Sequence, residues 1–229
     1  IAPTNFAGEV TQKIFGLDPK KIKVIHYGLK TESFVNTEPE SFQQKTLLNV
    51  GTLIRKKGVF ELVEIFNKLI EKEPDAILKL IGADAADIAT GSPSTFELMK
   101  KGFSKEAIKN VSYLGKLPYP EVKKHMQNAH VCVFPSFAET LGMVTIEAMA
   151  MQKAVVNTNI GWGMELIEDG VNGFLAHPSN HEKYVSTILS LFQDEKLCLQ
   201  VGKNALKKVR NHFDISAIAE QNILFYKGL

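Results

Sequence analysis

The sequence predicts an α/β fold: a Rossmann-like parallel sheet with helices on both faces and an all-helical C-terminal tail. Three observations predict it. Short apolar runs recur along most of the chain, and most are too apolar to leave one face in water. Longer stretches of helical period separate them, as when each strand is joined to a parallel neighbour through a helix. From His181 to Tyr226 the runs stop and only helical periodicity remains.

The runs "KVIHY", "TLLNVG", "AILKLIG", "NVSYLG", "VCVFP", "AVVNT" and "GFLAH" are each expected to form a strand. The clearest helix is 59–72, where Leu62, Val63, Phe66, Leu69 and Ile70 recur at helical spacing before Pro74 stops the pattern. Helices are also expected over 121–128, 144–151 and 164–168, and in the tail over 182–193, 195–210 and 214–227. "NTEPESFQQK" (36–45) reads as a polar connection. The stretch 82–107 is longer than a usual strand–helix–strand link and carries the turn-forming insert "TGSPS". The opening "IAPTNFAGEVTQKIFGL" reads as a piece excised from a longer protein.

The totals narrow the functional classes. A net charge of +2 argues for neither nucleic acid nor an anionic membrane surface. No apolar run approaches the ~18 residues of a membrane span. Two cysteines make no disulfide framework, so a reduced, cytoplasmic setting is expected, with Cys132 a core residue. The six histidines show no ligand spacing, since His125 and His130 stand five apart with only one securely helical; no metal site is expected. His26 reads as structural. The basic helix "KNALKKVR" reads first as a solvated face and second as a surface for peripheral membrane contact.

Ligands of parallel α/β sheets gather where strand ends meet helix N-termini. That makes the loops after the strands the informative ones. "GTLIRKKG" (Gly51–Gly58) holds Arg55, Lys56 and Lys57 between a strand and a helix, without the order of a Walker A loop. It reads either as a phosphate clamp or as a solvated basic turn. "PSFAETLGMVTIEAMA" is stronger. Gly142 lets backbone approach a ligand, and the amides of Leu141, Gly142, Met143 and Val144 open the next helix. Glu139 lies just before that helix and Glu147 inside it, among apolar neighbours. A buried carboxylate costs several kcal/mol unless paired, so its partner is either a neighbouring protein group or a ligand hydroxyl.

The spacing of Glu139 and Glu147, preceded by Pro135 and Ser136 and followed by "EAMA", resembles the family 4 retaining glycosyltransferases, also called glycosyl transferases group 1. Nearly the whole chain shares in the resemblance. "KIKVIHYGL", "LLNVGTLIRKKG", "LKLIGAD", "VSYLGKLPYPEVKKHMQNAHVCVFPS" and "NIGWGMELIEDGVNGFLAHP" are similar, in order, to that family's motifs. The resemblance implies one half of a GT-B fold. Residues 1–20 would be the last helix of an N-terminal domain or a linker, and 21–229 the C-terminal domain that binds the nucleotide-sugar donor. It implies that Glu147 accepts from ribose hydroxyls, that Glu139 holds sugar hydroxyls, and that the 141–144 amides bind sugar and diphosphate. Lys57 would neutralise the diphosphate, removing the need for a metal, and Gly115, Lys116 and Leu117 would lie near the base. Glu139 and Lys57 are thus the expected catalytic residues.

The chain also departs from the family's pattern. Thr52 follows Gly51 where the family has Arg, which turns attention to Arg55 and Lys56 as substitutes. Trp162 interrupts a Gly-Gly, and reads equally as a wall of the sugar pocket or a cover of the core. Glu165 is expected to cap its own helix. The resulting expectation is the donor domain of an enzyme moving a hexose from a UDP- or GDP-sugar to a glycan or lipid-linked acceptor, retaining and without cofactor. The isolated chain would bind nucleotide without turnover, in the cytoplasm or at the inner face of a membrane. The alternatives are a non-catalytic nucleotide-binding or assembly module, which Thr52 keeps open, and a GT-B sugar-nucleotide epimerase, which the Glu139–Glu147 spacing argues against.

Overall fold

The computed structural model describes residues 1–228. Six strands form one parallel sheet: β1 (Thr46–Val50), β2 (Ile77–Ile81), β3 (Val111–Tyr113), β4 (Val131–Phe134), β5 (Ala154–Thr158) and β6 (Phe174–Ala176). Their order across the sheet is β3-β2-β1-β4-β5-β6. The chain therefore winds outward from β1 in one direction, then returns to the other side of β1 with β4. The gap between the β1 and β4 loops is the topological switch point, where such sheets hold ligands.

Period-two alternation on each strand feeds two cores. Leu47, Leu78, Leu80, Val131, Val133 and Val156 point to one face, under α2 (Val59–Lys72) and α7 (His181–Gln193). Leu48, Ile81, Cys132, Phe134 and Val155 point to the other, under α4 (Tyr119–Asn128), α5 (Met143–Ala150) and α8 (Glu195–His212). Strands apolar on both faces are what a sheet covered on both sides requires. The remaining helices are α1 (Asn5–Phe15), α3 (Thr95–Gly102), α6 (Trp162–Leu166) and α9 (Ile215–Lys227).

One expectation needs correction. "KVIHY" is no strand: Ala2 donates to the Lys23 carbonyl (2.8 Å) and accepts from Ile25 (3.0 Å), a single bridge with no longer partner to extend it. The long 82–107 link contains α3, which Ser94 caps by accepting from the Glu97 amide (3.0 Å). Among the described residues, no helix is long and apolar enough to cross a membrane.

His130, at the foot of β4, gives the fold a pH dependence. It is buried between the rings of Phe42 (4.5 Å) and Phe192 (4.9 Å). Its Nδ1 accepts from the Lys45 amide (3.1 Å), so the neutral ring carries its proton on Nε2, which makes no close hydrogen bond and has only the Leu191 backbone nearby, acting weakly against the downward shift. Burial, aided by the nearby Lys153 charge, lowers its pKa to about 4. The unfolded chain, titrating near 6.5, binds the proton first, so stability falls as pH drops from about 6.5 towards 4. At pH 4.5 the loss from this ring should be about 2–3 kcal/mol, at 1.36 kcal/mol per pKa unit. Urea unfolding of wild type and His130→Asn at about pH 7.5 and about pH 4.5 checks it: between the two the wild type should lose more stability by about that margin.

Candidate functional site

The loops leaving β1 and β4 press together at the switch point. Gly58 sits at φ +67°, and a Cβ there would lie 1.8 Å from the Pro135 carbonyl oxygen, so only glycine lets the two loops meet. The Lys56 carbonyl accepts from the Phe137 amide (2.8 Å), tying them further. Beneath them, Gly82 at the end of β2 donates to the Gly115 carbonyl (2.9 Å) and packs its α-carbon against the Gly51 carbonyl. Backbone hydrogen bonds and close glycine contacts thus tie the strand ends into one floor.

Over that floor opens a cleft of about 540 Å³, within the range of small-molecule sites. Loops after four strands line it. Gly51, Thr52 and Lys57 come from β1, Ile81–Ala83 from β2, Lys116 and Leu117 from β3, and 139–144 with Glu147 from β4 and α5. Gly142 precedes α5 at φ 85° and offers no capping side chain. The first amides of α5 therefore face the cleft without a side-chain partner, where the helix dipole favours an anion.

Lys57 forms an ion pair with Glu139 across the cleft, and both side chains are mostly buried. Glu147 is half-buried, and burial raises its pKa, with the Tyr119 hydroxyl acting the other way. The Tyr119 hydroxyl is itself pushed up, by burial first and then by the Glu147 carboxylate. One wall thus offers a carboxylate whose present neighbour is a phenol, and the other a cation paired with a second carboxylate.

Of the expected site residues, Glu139, Glu147, Lys57, Thr52, Gly51, Lys116, Leu117 and the 141–144 stretch all line this cleft. Gly115 lies just behind it as the acceptor for Gly82. Arg55 does not line it. Its guanidinium forms two hydrogen bonds with Asp87 (2.6 and 2.9 Å) and lies over the Phe60 ring (4.6 Å), on the far side of the β1 loop. The 82–107 insert supplies Asp87, which also accepts from the Thr90 amide and hydroxyl and is held at a pKa of about 2, chiefly by Arg55. Arg55 is therefore no direct substitute for the family's Arg. Lys56 likewise stays outside the cleft, on the Arg55 side.

Two further expectations resolve. Trp162 is buried and edge-on to Phe6 (5.5 Å), a cover and not a cleft wall. Glu165 is a cap, but of α1: it accepts from the Asn5 amide and side chain and from the Phe6 amide at 2.8–2.9 Å. His26 is structural, its Nδ1 2.7 Å from the Pro3 carbonyl. Tyr27 and Tyr119 line the cleft and were missed; neither stands at a telling spacing, although Tyr119 follows Lys116 and Leu117 closely. Among the described residues, no group of three His, Cys, Asp or Glu side chains is placed to hold a metal ion.

A six-stranded parallel sheet with its cleft at the switch point makes this chain a Rossmann-like half of the GT-B type. The chain belongs to the glycosyl transferases group 1 family, whose model matches residues 31–208. It is 26% identical over 207 residues to the capsular polysaccharide biosynthesis glycosyltransferase CapM of Staphylococcus aureus, covering 90% of this chain and 49% of that protein. An uncharacterized glycosyltransferase of Methanocaldococcus jannaschii is 30% identical over 181 residues, 79% of this chain and 46% of its own length. The chain thus spans about half the length of the curated relatives it matches. In fold it is similar to Anabaena HepE, solved in complex with UDP and glucose, with a TM-score of 0.88 at 21% identity over 100% of this chain and 62% of that one.

Proposed function

We propose that this chain is the donor-binding half of a glycosyltransferase that moves a hexose from a UDP- or GDP-sugar to a glycan or lipid-linked acceptor. The observation that carries the reading is the convergence, in one cleft, of the uncapped α5 N-terminus, Lys57 and the two carboxylates Glu139 and Glu147. The α5 amides and Lys57 suit a diphosphate. Glu147 suits the two ribose hydroxyls, which can donate to a desolvated carboxylate without adding charge. Glu139 suits hydroxyls of the sugar.

In the transfer step the glycosidic bond to the diphosphate breaks and negative charge gathers on the leaving phosphate. Lys57 and the α5 amides, fixed by the laced loops, stabilise that charge where it develops. No carboxylate nucleophile is called for in this scheme: the acceptor oxygen bonds to the anomeric carbon on the face that the diphosphate leaves, which gives retention, the departing diphosphate takes the acceptor's proton, and Lys57 does the work of a metal. A second half would hold the acceptor, so this chain alone binds donor without turning it over.

A non-catalytic nucleotide-binding module is the second reading. Thr52 in the arginine position and the diversion of Arg55 to Asp87 favour it, because they leave Lys57 and Lys116 as the cleft's cations. Calorimetric titration with UDP, GDP, ADP and their sugar conjugates, first without metal and then with Mg²⁺, is the test. Selective metal-free binding is expected, with the sugar conjugate tighter than the bare diphosphate. No nucleotide binding at all would sink the donor-site reading.

A further inference from the structure

The chain's first residues reach the cleft through buried contacts that the donor-site reading does not use. Thr4 is fully buried. Its hydroxyl accepts from the Ala7 amide (3.0 Å), capping α1, and donates to the Thr140 carbonyl (2.9 Å), between Glu139 and Leu141 in the cleft loop. On one side, Ala2 is bridged to Lys23 and Ile25. On the other, Glu165 grips the Asn5 and Phe6 amides, and the Phe6 ring fills the space over Gly161, where a Cβ would lie 1.9 Å from it. Trp162, under Phe6, in turn lies 3.8 Å from where a Gly142 Cβ would stand. Residues 2–6 therefore form a strap fastened at both ends, with Thr4 as its one hydrogen bond to the cleft loop.

We propose that Thr4 is a positioning residue: its hydroxyl sets the height of the Thr140 carbonyl and thereby the placement of Glu139 and Leu141 towards the donor sugar. The proposal rests on the donor-site reading for its sugar, though not for the loop it fixes. The chemistry favours a threonine. A hydroxyl can accept from a helix amide and donate to a carbonyl at once, whereas an Asp or Asn at the same cap cannot do both with one atom.

Such a strap also gives α1 a route into the site. Val10, Ile14, Phe15 and Leu17 are exposed, so α1 is held mainly by its N-terminal turn. A displacement of α1 bears on Thr4 first and on the Thr140 carbonyl next. The strap's side-chain hydrogen bonds run to Thr140, Ala7 and Glu165 and none to Glu147 or Lys116, so the nucleotide-binding wall there should be indifferent to it.

The test compares wild type, Thr4→Val and Thr4→Ser. Hydrogen exchange in the ligand-free chain reads the loop directly, through the Phe137 and Ala138 amides that donate to the Lys56 carbonyl at 2.8 and 3.4 Å. In Thr4→Val their exchange should quicken about fivefold, the order expected for losing one net hydrogen bond, and Thr4→Ser should restore it. Calorimetry with UDP and UDP-glucose, or GDP and GDP-mannose if guanine is selected, reads the consequence. Thr4→Val should lower the sugar's added affinity about fivefold while the bare diphosphate binds within about twofold of wild type. A merely structural role would weaken both ligands equally and would overturn the proposal, as would unchanged exchange at Phe137 and Ala138. If Thr4→Val does not fold, Glu165→Ala loosens the same strap from its other fastening and should quicken the same amides. Wild type that binds neither ligand overturns the donor-site reading instead, and is told apart because the exchange difference would persist.

Discussion

Glu147→Ala should weaken nucleotide binding at least tenfold, about 1.4 kcal/mol, while Glu147→Gln should make the ligand-free chain more stable than wild type. The pairing of a functional loss with a stability gain distinguishes a ligand carboxylate from a structural one. Glu147 sits on α5 among Ile146, Ala148 and Met149, all buried, and its pKa is raised, first by burial. A carboxyl with a raised folded pKa costs nothing below its unfolded value near 4.5, where both states are protonated. As pH climbs through that value the unfolded chain loses its proton first, and the folded state is progressively disfavoured until the folded pKa is passed. At neutral pH the free chain therefore carries a cost that ribose hydroxyls would offset. Glutamine keeps the shape and removes the charge, so its advantage should be larger at pH 7 than at pH 4. For a chain of this size each kcal/mol moves the melting midpoint about 2–4 °C, which scanning calorimetry reads easily. A Glu147→Ala chain that binds like wild type, or a Glu147→Gln chain that melts lower, would return Glu147 to the structural reading.

The fold was legible where periodicity and neighbours agree. Helix 59–72 emerged with its bounds intact because Leu62, Phe66 and Leu69 bury one stripe, and the tail helices differed from expectation by a residue or two. "KVIHY" misled because strand composition does not reveal whether a neighbour exists to take up the backbone bonds, and here Ala2 alone does so. In the site, the backbone-dictated part could be read: a glycine before an apolar helix exposes amides whatever the side chains do. Side-chain direction could not. Arg55 and Lys57 are two positions apart on one short turn, and the turn sends them opposite ways, one to Asp87 and one to Glu139. Nor could partners far along the chain be read, since Glu165 caps a helix about 160 residues before it.

Lys57→Ala should produce the other large effect, a loss of diphosphate affinity of roughly ten- to a hundredfold, the range of about 1.5–3 kcal/mol for a charge-assisted hydrogen bond. Its sign and its partner carry the argument. In the free cleft Lys57 is already paired with Glu139, so a diphosphate arriving beside it must compete with a carboxylate and would meet that carboxylate's repulsion. The exchange is favourable only if Glu139 finds new donors as Lys57 leaves it, and sugar hydroxyls are such donors. Glu139→Gln therefore should act in opposite directions on two ligands. The bare nucleoside diphosphate, relieved of competition, should bind a few-fold tighter, whereas the sugar conjugate should lose the extra affinity that its sugar contributes. Combining the two substitutions completes a double-mutant cycle: with Lys57 gone, Glu139→Gln should still help the diphosphate by removing repulsion, but by less than it does when the ammonium is present to be freed. Calorimetry on the four chains with both ligands measures every term. Equal weakening of diphosphate and sugar conjugate by Glu139→Gln would mean that the ion pair serves to shape the loop, and that neither member exchanges partners when donor binds.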